Sequence, residues 1–253
     1  MTSCGEYQSL LKSNDYNLVY KKAIEYYNKG DYQRAMNLLD GVRSVFVGQA
    51  KAQNIAYYRA FCSYNMKDYQ IASDLFKQFI QTYPESSFAE ECLYMMGFCD
   101  YKASPKPRLD QQVTEKAIRE FQLYLSRYPY SMRKDKVNTY MDEMRDKLSY
   151  KAYLSAKNYY LREHYKAAVI SLQNCLKDYP GSKYREEIMY MLFVSKYQMA
   201  VNSVEDKKVE RYNNAREEYY YFADEYPNSR YAADVKKMYE DIEAYLENYK
   251  FED

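Results

Sequence analysis

The chain has no tryptophan, a single histidine, six glycines and six prolines in 253 residues. So few turn-forming residues exclude an all-β sandwich or barrel with its many tight turns, and no glycine- or serine-rich tract supplies a long flexible linker. With only His164 available, neither a histidine-based catalytic pair nor a multi-histidine metal site can be assembled. Its place just before Tyr165 reads as a turn. An excess of one charge is missing too: 37 basic residues stand against 36 acidic ones, interleaved, for a net charge of +1. That leaves no electrostatic footprint for nucleic acid, and none is expected as a partner. No apolar run approaches the ~20 residues needed to span a bilayer.

The five cysteines show no CxxC spacing. Cys92 and Cys99 share a helix face but lie roughly 10 Å apart along the axis, too far for a disulfide, so buried thiols are expected. Phosphate-binding glycine loops, nucleophile elbows and metal-ligand spacings are absent from the sequence. The carboxylate pairs Glu90-Glu91, Glu186-Glu187 and Glu217-Glu218 are adjacent, so they diverge on a helix and read as solvated faces. No active site, cofactor or metal is expected.

What the chain has in abundance is tyrosine, 35 residues, and a repeat. Tyr-Pro-x-Ser occurs at Tyr83-Pro84, Tyr128-Pro129, Tyr179-Pro180 and Tyr226-Pro227, and each proline follows an alanine (Ala72, Ala117, Ala168, Ala215) at the same interval. Ala35 marks a first unit whose exit, Phe46-Val47-Gly48, lacks the proline. Ala23, Ala60 and Ala156 occupy a matching earlier position, taken in the other units by Gly97 and Phe193. Small residues at both places let two helices approach closely, with Leu39, Phe76, Phe121, Leu172 and Tyr219 filling the space beside them. This pattern resembles the tetratricopeptide repeat, best in Glu25-Tyr26-Tyr27-Asn28-Lys29-Gly30-Asp31-Tyr32 through Ala35. Ser86, Ser131, Ser182 and Ser229 are expected to cap the following helices, and Ser87 with Glu90 has capping-box spacing.

Departures from the repeat mark special parts. Ser104-Pro105-Lys106-Pro107-Arg108 predicts a long turn in unit three, and Val201 to Lys208 a long polar loop in unit five. Apolar residues at Val137, Met141, Met144 and Leu148 keep helical spacing through extra sequence after Pro129, predicting one long helix from about Ser131 to Leu161. The expected organisation is a leader at 1–15, units one to three at 16–130, and the long helix, units four and five and a capping helix at 131–253.

Tyrosine recurs twice in each first helix: Tyr20, Tyr57, Tyr94, Tyr153 and Tyr190, then seven residues on Tyr27, Tyr64, Tyr101, Tyr160 and Tyr197. Residues seven apart share a helix face. Such a face offers large apolar bodies with orienting hydroxyls, suited to binding a peptide, and equally suited to packing one helix pair on the next.

Thr2-Ser3-Cys4-Gly5 resembles the end of a bacterial lipoprotein signal, which predicts Cys4 as the lipid attachment site. Together with five tetratricopeptide units, the long helix after the third, Tyr94-Met95-Met96-Gly97, and Met144-Arg145-Asp146-Lys147-Leu148, it makes the chain similar to the BamD family, lipoproteins of the outer-membrane β-barrel assembly machinery. The resemblance implies an all-α, non-catalytic periplasmic scaffold held by lipid at the outer membrane. It further implies binding of unfolded barrel precursors at Tyr20, Tyr27, Tyr57, Tyr64, Tyr94 and Tyr101, and of the barrel-forming subunit at Tyr190, Tyr197 and Tyr245. A peptide-binding adaptor in cell-envelope maintenance or cytoplasmic regulation is the alternative.

Overall fold

A computed structural model describes residues 3–249, with side chains from Glu6 onward. All regular structure among them is helical. Helix α1 (Ser3–Leu11) precedes five pairs: α2 (Tyr16–Asn28) with α3 (Tyr32–Val42), α4 (Ala50–Asn65) with α5 (Tyr69–Thr82), α6 (Ala89–Ala103) with α7 (Gln112–Arg127), the later part of α8 (Lys134–Leu161) with α9 (Tyr165–Asp178), and α10 (Arg185–Val201) with α11 (Glu205–Glu225). Helix α12 (Ala232–Tyr249) follows the last pair. This is the tetratricopeptide arrangement, with its long helix after the third pair.

The chain divides into two compact units, residues up to Met144 and residues from Arg145, so the break falls inside α8. In the first unit Ala23, Ala35, Ala60, Ala72 and Ala117 are fully buried, and Val137, Met141 and Met144 of α8 complete a core built on Phe76, Phe79, Phe121 and Tyr124. In the second, Ala156, Ala168 and Ala215 are fully buried beside Leu172, Phe193 and Phe222. Gly97 shows why the place must be small: a Cβ there would lie 2.9 Å from the Phe121 ring. Unit five solves the same contact differently, with Phe193 at that place and the partly buried Tyr219 ring 6.2 Å away.

Three tight turns share one conformation. Gly30, Lys67 and Glu163 each adopt a positive φ of 80°, 68° and 59°. Their amides bond to the carbonyls of Tyr27, Tyr64 and Tyr160, ending the first helix of each pair. A side chain in this region costs about 1 kcal/mol that glycine avoids. Glu163→Gly should therefore stabilise the second unit by about that amount in chemical denaturation, and a lower midpoint would contradict the reading.

The four Tyr-Pro-x-Ser turns are also alike. Each serine amide donates to the tyrosine carbonyl at 3.0–3.1 Å, and each serine hydroxyl accepts from the amide two residues on at 3.0–3.2 Å. The serines thus close the turn rather than capping the next helix; the N-cap of α6 is Phe88, without a side-chain bond, so the capping box at Ser87 and Glu90 does not form. A second correction concerns unit five. Only 202–204 separate the helices there, because the charged segment from Glu205 extends α11 N-terminally. The expected turn in unit three is present at 104–111.

Within the expected leader, α1 docks on the first pair. Leu10 is buried, Tyr7 meets Tyr26 edge-on at 5.9 Å and accepts a hydrogen bond from Asn37, and Glu6 pairs with Lys22 at 3.2 Å. Cys4 falls in the range of α1, but its side chain lies outside the described ones. Cys62, Cys92, Cys99 and Cys175 are buried free thiols. Burial pushes Cys62 and Cys92 up to about 12 and Cys175 to about 11, so they pack as small apolar groups.

Candidate protein-binding face

The residue leading into each following pair covers the earlier row of tyrosines. Tyr57 lies 4.5 Å from Phe88, Tyr153 stacks on Tyr184 at 4.4 Å, Tyr190 stacks on Tyr231 at 4.0 Å, and the Arg133 guanidinium sits 4.8 Å over Tyr94. Tyr20 faces Phe46 at 6.2 Å, with the Lys51 ammonium over its ring. Hydroxyls continue the pattern: Tyr57 donates to Glu91 and Tyr153 to Glu187, both partners 34 residues later. Within each unit this row joins one pair to the element that follows it, Tyr94 meeting the residue just before α8. Tyr94 is 8% exposed, packed against Phe98 and Tyr124, and so offers least surface among the nine candidates.

The later row is half-buried. Tyr27 packs between Tyr32 and Tyr58 and accepts from Asn65; Tyr64 lies against Tyr69 and Phe98. Tyr101 stacks on Tyr140 at 4.5 Å and donates to Glu143. In the second unit Tyr197 donates to Asp241, and Tyr245 packs on Tyr212 and donates to Glu205. Burial raises Tyr27 and Tyr197 to about 12, and the Glu143 and Glu205 carboxylates chiefly raise Tyr101 and Tyr245 to about 12. Burial also raises Tyr20, Tyr57, Tyr64, Tyr94 and Tyr190. These hydroxyls stay protonated, so the face presents neutral donors and ring edges, with no switch near neutral pH.

Four of the six carboxylates read as solvated are in fact used, while Glu217 is exposed as expected. Glu90 accepts from Tyr124 and Ser131, Glu91 from Tyr57, and Glu187 from Tyr153 and Lys157. Glu218 is 8% exposed and paired with Lys196 at 2.5 Å. The 34-residue interval of Tyr57 to Glu91 and Tyr153 to Glu187 is the sequence signal that identifies two of them. A further cluster, Asp100 and Glu120, carried no such signal. Asp100 is 2% exposed and takes the Lys116 ammonium at 2.8 Å and the Ser73 hydroxyl at 3.1 Å, while Glu120 holds one buried oxygen without a hydrogen-bond partner.

Away from the candidate tyrosines, a notch of about 670 Å³ opens between the α8–α9 turn, with His164 and Lys166, and Met199 and Arg211 of the last pair. His164 occupies the N-cap position of α9, in the turn as expected. Among the described residues no group of three His, Cys, Asp or Glu is placed to hold a metal ion. None of their helices is long and apolar enough to cross a membrane.

The sequence profile described as YfiO, outer membrane lipoprotein, matches at residues 12–187 and 151–252. No curated protein sequence matches the chain. Solved structures with some likeness include the TPR2AB domain of yeast Sti1 in a pHSP90 complex, at 14% identity and TM-score 0.41, covering 90% of this chain and 98% of that one. Another is a TPR repeats protein from Bacteroides fragilis NCTC 9343, at 12% identity and TM-score 0.43, covering 92% and 99%. At these scores neither bears on function.

Proposed function

Since the chain belongs to the YfiO family of outer membrane lipoproteins, the BamD-type family, we propose that it is a non-catalytic periplasmic scaffold of the outer-membrane barrel assembly machinery. The observation that carries this is the family match, which extends through both units of a tetratricopeptide fold. In this reading the later tyrosines of the first unit, Tyr27, Tyr64 and Tyr101, contact unfolded β-barrel precursors, with Tyr20, Tyr57 and Tyr94 holding the pairs that present them. Tyr190, Tyr197 and Tyr245 in the second unit face the barrel-forming subunit. Support for a binding rather than catalytic role comes from the face itself: neutral hydroxyls, ring edges and engaged carboxylates orient a chain but supply no nucleophile or base near neutral pH.

Acylation of Cys4 holds the scaffold on the periplasmic face of the outer membrane. In cells making the full precursor, Cys4→Ala should abolish fatty-acid labelling and release much of the protein from membranes without changing its thermal unfolding. Undiminished labelling would overturn the assignment of Cys4. Purification of the tagged lipoprotein should bring down the barrel-forming subunit in fixed ratio. Its absence would favour an envelope adaptor serving another peptide.

A further inference from the structure

The four Tyr-Pro-x-Ser turns have the same hydrogen bonds, so each controls for the others. The residue between proline and serine, and the residue after the serine, are Glu85 and Ser87, Gly181 and Lys183, and Asn228 and Arg230 in three turns. These are small or polar, as full exposure favours. In the remaining turn, between α7 and α8, they are Tyr130 and Met132, at 97% and 102% relative exposure. Nothing in the turn requires them, and nothing among the described residues covers them.

Along the sequence the turn is basic: Arg127, Arg133, Lys134 and Lys136 lie within ten residues, with Asp135 between them. From α6, Glu90 accepts from the Ser131 hydroxyl and Glu91 pairs with Arg133, which leaves Arg127, Lys134 and Lys136 as the exposed cations. Arg127 is held at the turn by donating to the Pro84 carbonyl at 2.9 Å, and Arg133 by Tyr94 and by Glu91 at 3.5 Å.

We propose that the Tyr130–Met132 turn is a contact for an anionic lipid surface, its two apolar side chains entering the interfacial layer while the surrounding cations meet lipid phosphates. The geometry favours lipid over protein. Two side chains on a tight convex turn fall far short of the ~800 Å² per partner that a stable protein interface buries. Entry into a fluid interface needs no matching socket, and tyrosine is a side chain that partitions there, aided by adjacent Lys and Arg. The proposal draws on the family only for the presence of a bilayer. It holds whether or not Cys4 is acylated and whatever the scaffold binds.

Because the chain has no tryptophan, Tyr130→Trp places a sole indole at the contact. The unacylated 253-residue chain carrying it is mixed with vesicles of phosphatidylglycerol and phosphatidylethanolamine, or of phosphatidylcholine alone. Emission should shift to the blue and resist acrylamide quenching with the anionic vesicles only, and high salt should reverse both. In flotation, Tyr130→Ser with Met132→Ser should lower vesicle binding about tenfold or more, with thermal unfolding unchanged because both side chains stand in solvent. An indole that stays quenchable beside anionic vesicles overturns the proposal, as does a double variant that floats like wild type. A blue shift with a purified partner protein but not with vesicles would overturn it in favour of a protein contact.

Discussion

The Glu120→Gln variant should unfold later than wild type above about pH 8 and at nearly the same point below about pH 4.5. Glu120 projects from α7 into the first unit's core, where burial, and then the facing Asp100, push its carboxyl up to about 8. Lys116 answers part of this negative charge from the solvent side, its ammonium 3.7 Å from Glu120 and 2.8 Å from Asp100, with Asp74 further out at 3.9 Å. A carboxyl whose folded pKa exceeds its unfolded value contributes stability fully below the unfolded pKa and loses it as pH rises through the folded one. Here the loss runs between about 4.5 and about 8. Each pKa unit corresponds to about 1.4 kcal/mol, so even half the displacement amounts to about 2 kcal/mol over that window. Glutamine keeps a donor toward Asp100 and cannot ionise. Urea midpoints of both proteins across the pH range check this; parallel curves would show that Glu120 is charged and tolerated in the fold.

At the same two register positions the second unit carries Lys196 and Glu218 in place of Asp100 and Glu120, and there the charges cancel directly. Their side chains are only 20% and 10% exposed and meet at 2.5 Å. Lys196→Met should therefore cost about 3 kcal/mol, since it strands a carboxylate in a largely buried place. Adding Glu218→Leu should recover most of the loss, because a buried pair contributes little net stability against apolar groups of similar size. Denaturation of the single and double variants decides it. A single variant within ~0.5 kcal/mol of wild type would mean that water reaches Glu218 freely.

These two sites show where sequence reading reached and where it stopped. The alanines, the Tyr-Pro-x-Ser turns and the apolar spacing after Pro129 made the helix pairs and the long helix legible, because close packing and helix termination leave marks at fixed intervals. Interactions between pairs leave weaker marks. Glu91 and Glu187 resemble any surface glutamate until the 34-residue interval to a tyrosine is noticed. Asp100 and Glu120 are brought together across the irregular 104–111 turn, so no regular spacing reveals them. The segment from Glu205 read as a loop because its charges hide the apolar period, yet Val209, Tyr212 and Ala215 supply enough buried surface to continue α11. The tyrosines were legible as two rows but not by role. Only coordinates separate the earlier row, roofed by Phe88, Arg133, Tyr184 and Tyr231, from the later one.

The central claim is that the later row in the first unit binds unfolded barrel precursors, and the direct measurement is anisotropy of a labelled C-terminal barrel-precursor peptide titrated with the purified chain and with Tyr64→Ser/Tyr101→Ser. The account predicts saturable binding by wild type and about tenfold or more weaker binding by the double variant, whose thermal unfolding falls only modestly because both rings lie at the edge of the core and truncating them opens a gap to solvent rather than a closed cavity. Binding that the double variant retains in full, or a wild-type chain that does not bind the peptide, would contradict it.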